Sequence, residues 1–173
     1  CKHFERSWSI FSCLGHIDLL SFWVVSSNDQ TKWALAEGDD TLYATALQWK
    51  AEGKIRHIGF STHGTAGNIL QLIESNRFDY VNLHYHYFGS YHASGTMDGH
   101  GGQGNARAIQ KAKDLDMGIF LISPVDKGGK LFEPSAVVAR TIGPRLNPIA
   151  FALLRGWKEG MHTASVGFAR QAD

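Results

Sequence analysis

The sequence predicts a parallel α/β architecture, and three observations carry the prediction. Short runs rich in β-branched and aromatic residues recur along the chain, among them Ile55 to Ser61, Tyr80 to Phe88, Met117 to Pro124 and His162 to Phe168. Segments with apolar residues at helical spacing separate them. The runs are apolar at successive positions, as strands covered by helices on both faces require.

Taken in order, Phe4 to Leu14 reads as the tail of an amphipathic helix and His16 to Val25 as a buried strand. Ser26 to Asp40 is polar and reads as a loop. Thr41 to Glu52 carries Leu42, Ala46, Leu47 and Trp49 near helical spacing, and Gly53 follows as a C-terminal cap. Ile55 to Ser61 is the second strand, Asn68 to Ser75 a helix and Tyr80 to Phe88 the third strand. Asn105 to Leu115 is a helix with Ala106, Ile109, Ala112 and Lys113 in period, and Met117 to Pro124 is the fourth strand. Ser135 to Arg140 and Pro148 to Lys158 are helical, Pro148 suiting a first turn. His162 to Phe168 is the fifth strand. Five strands leave the first and last with open edges, which invite pairing with a partner chain.

Composition narrows the function classes. The 173 residues fit one domain, residues 1–173. The formal net charge is +1 with no basic tract, which gives no electrostatic case for nucleic acid or an anionic membrane. The longest apolar run, Ile10 to Val25, is broken by Gly15, His16 and Asp18 and does not read as a spanning helix. Cys1 and Cys13 form neither a disulfide framework nor a zinc spacing, so a reducing cytoplasm is the expected location. The chain opens on Cys rather than Met, with no signal peptide, and the simplest expectation is an incomplete chain.

The wording and order of the strands resemble the aldo-keto reductases. The carriers are His3-Phe4-Glu5-Arg6-Ser7 followed by Ile17-Asp18-Leu19-Leu20, then Gly53 to Ser61, then Tyr80 to Tyr87. Ile119 to Gly129, with Ser-Pro ahead of Lys-Gly-Gly-Lys-Leu, and Ser165 to Arg170 complete the set. Within that family the chain is most similar to the bacterial-type oxidoreductases with Asn-Leu-His-Tyr in strand six, without the cysteine cluster that some carry. The resemblance implies a partial (β/α)8 TIM barrel, strands four to eight, with the first three strand–helix units missing. A whole barrel of this kind takes about 250 residues. It also implies NADPH- or NADH-dependent reduction of a small-molecule carbonyl substrate, an aldehyde or ketone, to an alcohol.

The same resemblance assigns residues. The family's Asp, Tyr and Lys lie on the first three strands, and the position of its His holds Trp23. Indole donates one hydrogen bond and cannot relay a proton. No catalytic group is therefore expected intact, and this chain alone is expected to be catalytically incompetent. The alternative is a non-catalytic NADPH-binding or interaction subunit on the same barrel. Trp23 itself is expected to pack as a core aromatic. For the cofactor, Ser61, Thr62 and Asn82 would meet the nicotinamide carboxamide. Ser123, Val125, Lys127 and Gly128 would approach the pyrophosphate. Gly167, Phe168 and Arg170 would open the adenosine-phosphate segment, Arg170 being suited to a 2′-phosphate.

Two further patterns are weighed against this. Gly99, Gly101 and Gly104 satisfy Gly-x-Gly-x-x-Gly ahead of a helix, but they lie about ten residues beyond the strand, where a dinucleotide motif needs a tight turn. The stretch Gly89 to Gly104 reads instead as an insertion. His84 and His86 would share a strand face, and His92 and His100 follow. With no Cys or Glu nearby to complete a ligand set, no metal is expected.

Overall fold

The computed structural model describes residues 2–85, 105–125, 130–143 and 146–167. Five strands are β1 (Ile17–Phe22), β2 (Ile55–Ser61), β3 (Tyr80–His84), β4 (Gly118–Ile122) and β5 (Thr163–Ser165). They form one sheet in sequence order, every neighbouring pair parallel. The helices are α1 (Lys2–Phe11), α2 (Asn28–Ala34), α3 (Leu42–Ala51), α4 (Ala66–Glu74), α5 (Ala106–Asp114), α6 (Ala136–Ile142) and α7 (Pro148–Lys158).

Local chemistry explains the boundaries. Thr41, Thr65, Ser135 and Asn147 each cap a helix with a side-chain oxygen on a backbone N–H. Pro148 opens α7 where its missing N–H costs nothing. Gly53 ends α3 at φ 72°, and the Lys54 N–H donates back to the Trp49 carbonyl.

Register divides the strand residues into two faces. Phe22, Phe60, Val81 and Ile119 lie in one row, with Leu83 and Leu121 in the next but one. These pack in one core with Ile69, Leu72 and Ile73 of α4 and Ala108, Ile109 and Ala112 of α5. Phe78, just ahead of β3, meets Phe60 edge-on at 4.9 Å and Phe22 at 5.5 Å between ring centroids. The alternate rows form the inner face. Its first row is Ser21, Gly59, Tyr80 and Gly118; its second is Ser61, Asn82, Phe120 and Thr163.

Tyr80 is the floor of that inner face. A Cβ at Gly59 would fall inside the Tyr80 ring, and one at Gly118 would lie 2.9 Å from the Tyr80 Cβ. Phe120 lies against the ring, 5.4 Å between centroids and tilted by 48°. Only glycine leaves room for the phenol across the sheet. Opposite, at the N-terminal end, Asp79 holds β2 to β3. Its carboxylate accepts from the Ile58 N–H at 2.8 Å and from Lys50 Nζ at 2.9 Å.

Four expectations change. Residues 26–40 are not a loop throughout: they contain α2, started by a capping box in which Ser27 and Gln30 bond reciprocally. Polar helices with good caps lack the apolar period used to find them. β1 is not a buried strand, since Asp18 and Leu19 are exposed. The inner face of the sheet is partly polar, because among the described residues helices cover the outer face alone. Trp23 is 83% exposed instead of packed, for it follows the edge strand and no described element lies over it. β3, β4 and β5 are also shorter than the runs that announced them.

Two predictions follow from the Tyr80 floor. Gly59→Ala is expected to destabilise the fold by about 1–3 kcal/mol through overpacking. Denaturant unfolding checks it, and an unchanged midpoint would refute the close approach. Burial pushes the Tyr80 phenol up to about 12, partly opposed by the hydroxyl of Ser21. The unfolded chain ionises near pH 10, so its favourable contribution is whole below about pH 10 and disappears as the pH climbs toward 12. Tyr80→Phe should remove that part of the alkaline loss, seen by comparing unfolding midpoints at about pH 9 and 11.5. The loss that remains includes Tyr85, which burial beside Glu159 also pushes up to about 12, and Tyr43, which burial raises as well.

Candidate functional site

All five strands point their C-terminal ends the same way, so the segments that follow them gather at one rim. Parallel strands with crossover helices dictate this placement, and in such folds the rim is where ligands bind. The rim brings together Ser61 and Thr62 after β2, His63 beyond them, Asn82 and His84 on β3, and Ser123 after β4.

Ser61 and Asn82 are register partners on the inner face. The side-chain oxygen of Asn82 is buried and has no hydrogen-bond partner among the described residues. A buried amide oxygen without a donor costs about 1–3 kcal/mol and points to a missing ligand or water. Ser61 is half-buried beside it.

Thr62 makes its described bonds within the protein. It is 1% exposed, its hydroxyl donates to the Val25 carbonyl at 2.6 Å and accepts from the Gly64 N–H at 2.9 Å. The Ser26 hydroxyl accepts from the His63 N–H at 2.7 Å, and the Val25 N–H donates to the Ser61 carbonyl at 2.9 Å. These bonds tie the segment after β1 to the segment after β2. Thr62 is thus a strut under the rim, its hydroxyl already engaged on both sides.

Ser123 sits at φ 55°, a left-handed conformation that turns the chain out of β4 ahead of Pro124. Val125 is 4% exposed and packs with Leu131 of the following turn and Ala152 of α7. Its side chain belongs to that small core, which leaves its backbone as the part able to approach a ligand. Gly167 is exposed beyond β5. Lys127, Gly128, Phe168 and Arg170 lie outside the described residues, as do Gly99 to Gly104, His86, His92 and His100.

The pair that sequence reading missed is His63 with His84. His63 Nδ1 lies 2.5 Å from His84 Nε2, the rings 4.4 Å apart and tilted by 45°. His84 is 2% exposed. The Asn105 amide donates to the His84 carbonyl at 2.6 Å, while its own oxygen is buried without a partner among the described residues. His84 stands out in the sequence for its spacing to His86, which lies outside the described residues; its partner among the described residues is 21 residues earlier. Only parallel pairing of β2 with β3 brings the two together. Among the described residues no group of three or more His, Cys, Asp or Glu side chains is placed to hold a metal ion. No helix among them is long and apolar enough to cross a membrane.

No protein-family profile matches this chain, and no curated protein matches it. Solved structures do. One is the crystal structure of a proposed aldo-keto reductase from Pseudomonas aeruginosa, 19% identical, with a TM-score of 0.60, covering 98% of this chain and 52% of that one. Another is an aldo-keto reductase enzyme from a Medee basin deep-sea metagenome library, 16% identical, with a TM-score of 0.63, covering 96% of this chain and 54% of that one. The chain spans about half the length of these structures. The likeness is one of fold. Its five parallel strands with alternating helices have the fold of about half of such a (β/α)8 barrel, the partial barrel that the sequence predicts.

The strut at the rim carries its own prediction. Thr62→Val keeps the shape but leaves the Val25 carbonyl and the Gly64 N–H without their partner. A loss of about 2 kcal/mol in unfolding free energy is expected, and a loss below about 0.5 kcal/mol would show that the rim does not depend on it.

Proposed function

We propose that this chain forms the nicotinamide-binding side of an aldo-keto reductase barrel, the whole of which reduces an aldehyde or ketone to an alcohol with NADPH or NADH. The observation that carries the reading is the unpartnered, buried oxygen of Asn82 beside Ser61 at the strand rim. A carboxamide offers an N–H₂ donor and a carbonyl acceptor in one plane. Asn82 Oδ1 suits the donor and the Ser61 hydroxyl suits the acceptor, so the residues present fit the group. Bound there, the nicotinamide supplies a hydride to the carbonyl carbon of the substrate.

The remaining roles follow the family resemblance. Thr62 supports Ser61 through its bonds to Val25 and Gly64. Ser123 and the Val125 backbone, with Lys127 and Gly128, would approach the pyrophosphate. Gly167, Phe168 and Arg170 would begin the adenosine-phosphate subsite. Location in a reducing cytoplasm and a partner chain along an open sheet edge belong to the same proposal.

Catalysis is a separate matter. Trp23 stands where the resemblance puts a histidine, and indole moves no proton. We infer that this chain by itself binds the nucleotide without turning over a carbonyl substrate. The high exposure of Trp23 favours the second reading as well, a non-catalytic NADPH-binding or interaction subunit.

Titration of the chain with NADPH, followed by the fluorescence of the reduced nicotinamide, is the test. Asn82→Leu should weaken binding about tenfold, the loss of one hydrogen bond in a buried site. Equal affinity in the variant, or no saturation by the unaltered chain, would overturn the assignment. Steady oxidation of NADPH with an aldehyde by the pure chain would instead refute the inferred lack of turnover.

A further inference from the structure

We propose that His63 and His84, with the Asn105 side chain beside them, form a binding site for a borderline divalent cation of the zinc class. The site is independent of the nucleotide reading. It rests on two imidazole nitrogens aimed at the same point and on a buried amide oxygen that the fold leaves unused.

The nitrogens come first. His63 Nδ1 and His84 Nε2 face one another at 2.5 Å. One small cation fits between two such nitrogens: a proton, which makes a hydrogen bond, or a metal ion, which makes two bonds. Neutral imidazole is the commonest protein ligand for zinc and its neighbours. With His63 protonated on Nε2 and His84 on Nδ1, both lone pairs face the gap. Binding to that neutral couple shifts a tautomer and releases no net proton.

The gap must widen. Two zinc–nitrogen bonds of about 2.0–2.1 Å at a tetrahedral angle place the nitrogens roughly 3.3 Å apart. The required opening of under about 1 Å falls on His63, which is half-buried and lies in the irregular segment between β2 and α4. His84 is held in the end of β3 by its register with Ile122.

Asn105 supplies the second observation. It is 2% exposed, and its amide nitrogen is spent on the His84 carbonyl at 2.6 Å. Its oxygen is buried with no hydrogen-bond partner among the described residues. Although Asn105 directly precedes α5, its side chain makes no capping bond there. The amide is anchored at the end of β3 through its nitrogen, and its oxygen is assigned as the third donor of the proposed site. Water completes the shell. Such a neutral set, without thiolate or carboxylate, selects an imidazole-loving ion over calcium or magnesium, which need hard anionic oxygen.

Isothermal titration of the whole chain with zinc chloride at about pH 7.5 tests the site. One zinc per chain is expected, with a dissociation constant on the order of micromolar. His63→Gln should weaken binding at least about tenfold while leaving the thermal midpoint nearly unchanged. Asn105→Asp, which places a carboxylate oxygen where the amide oxygen stood, should tighten zinc binding. If that variant does not fold, His63→Gln alone decides. Absence of zinc binding, or binding equal in His63→Gln and the unaltered chain, overturns the proposal, the latter pointing to histidines elsewhere.

Discussion

Parallel register across β2, β3 and β4 is the constraint on which the rest of this structure depends. Side chains alternate faces along a strand, so a slip of one residue in β3 would turn Val81 and Leu83 away from α4 and α5. It would also drive the Tyr80 ring out of the space that Gly59 and Gly118 leave for it. Two independent features therefore enforce one register. The outer face requires an apolar row, and the inner face has a single place wide enough for a phenol. Asn82 meets Ser61, and His84 meets His63, only because that register holds.

The two ends of the strands are built for different purposes. At the N-terminal end, Asp79 accepts from a β2 N–H and from Lys50, and its carbonyl accepts from the Gly118 N–H. Three strands are tied there with every bond made inside the protein. At the C-terminal end the ties through Thr62, Ser26 and Asn105 are equally direct, but two buried amide oxygens, of Asn82 and Asn105, have no partner among the described residues. Unused polar atoms cost stability when buried. Their concentration at the rim, where barrel folds place chemistry, is the physical basis for reading the rim as a site.

The inner face grades from packing to polarity along the strand direction. Tyr80 and Phe120 close its floor, Ser61 and Asn82 form a polar step above them, and His84 follows two residues further along β3. A carboxamide and a cation would occupy successive steps of this ladder and need not compete for the same atoms. Trp23 stands apart from both, exposed after the edge strand. Its exposure, together with that of Leu19, leaves apolar surface uncovered on the β1 side of the sheet.

The sequence by itself determined the order of the strands, the helix boundaries at Gly53 and Pro148, and the apolar rows. Those signals are local, being periodicity and backbone preference within a dozen residues. It missed α2 because Asn28 to Ala34 is capped well but carries little apolar period. It did not show the bond from the Thr62 hydroxyl to the Val25 carbonyl, since nothing local reveals that Val25, 37 residues away in the chain, lies within reach. It saw His84 but not His63 as its companion, and it expected Trp23 to be buried. Each of these depends on which surfaces meet across parallel strands. That was decided only by the tertiary structure, because pairing between β2 and β3 is fixed by packing against helices and by the Tyr80 ring, and neither leaves a mark in the residues immediately around the site.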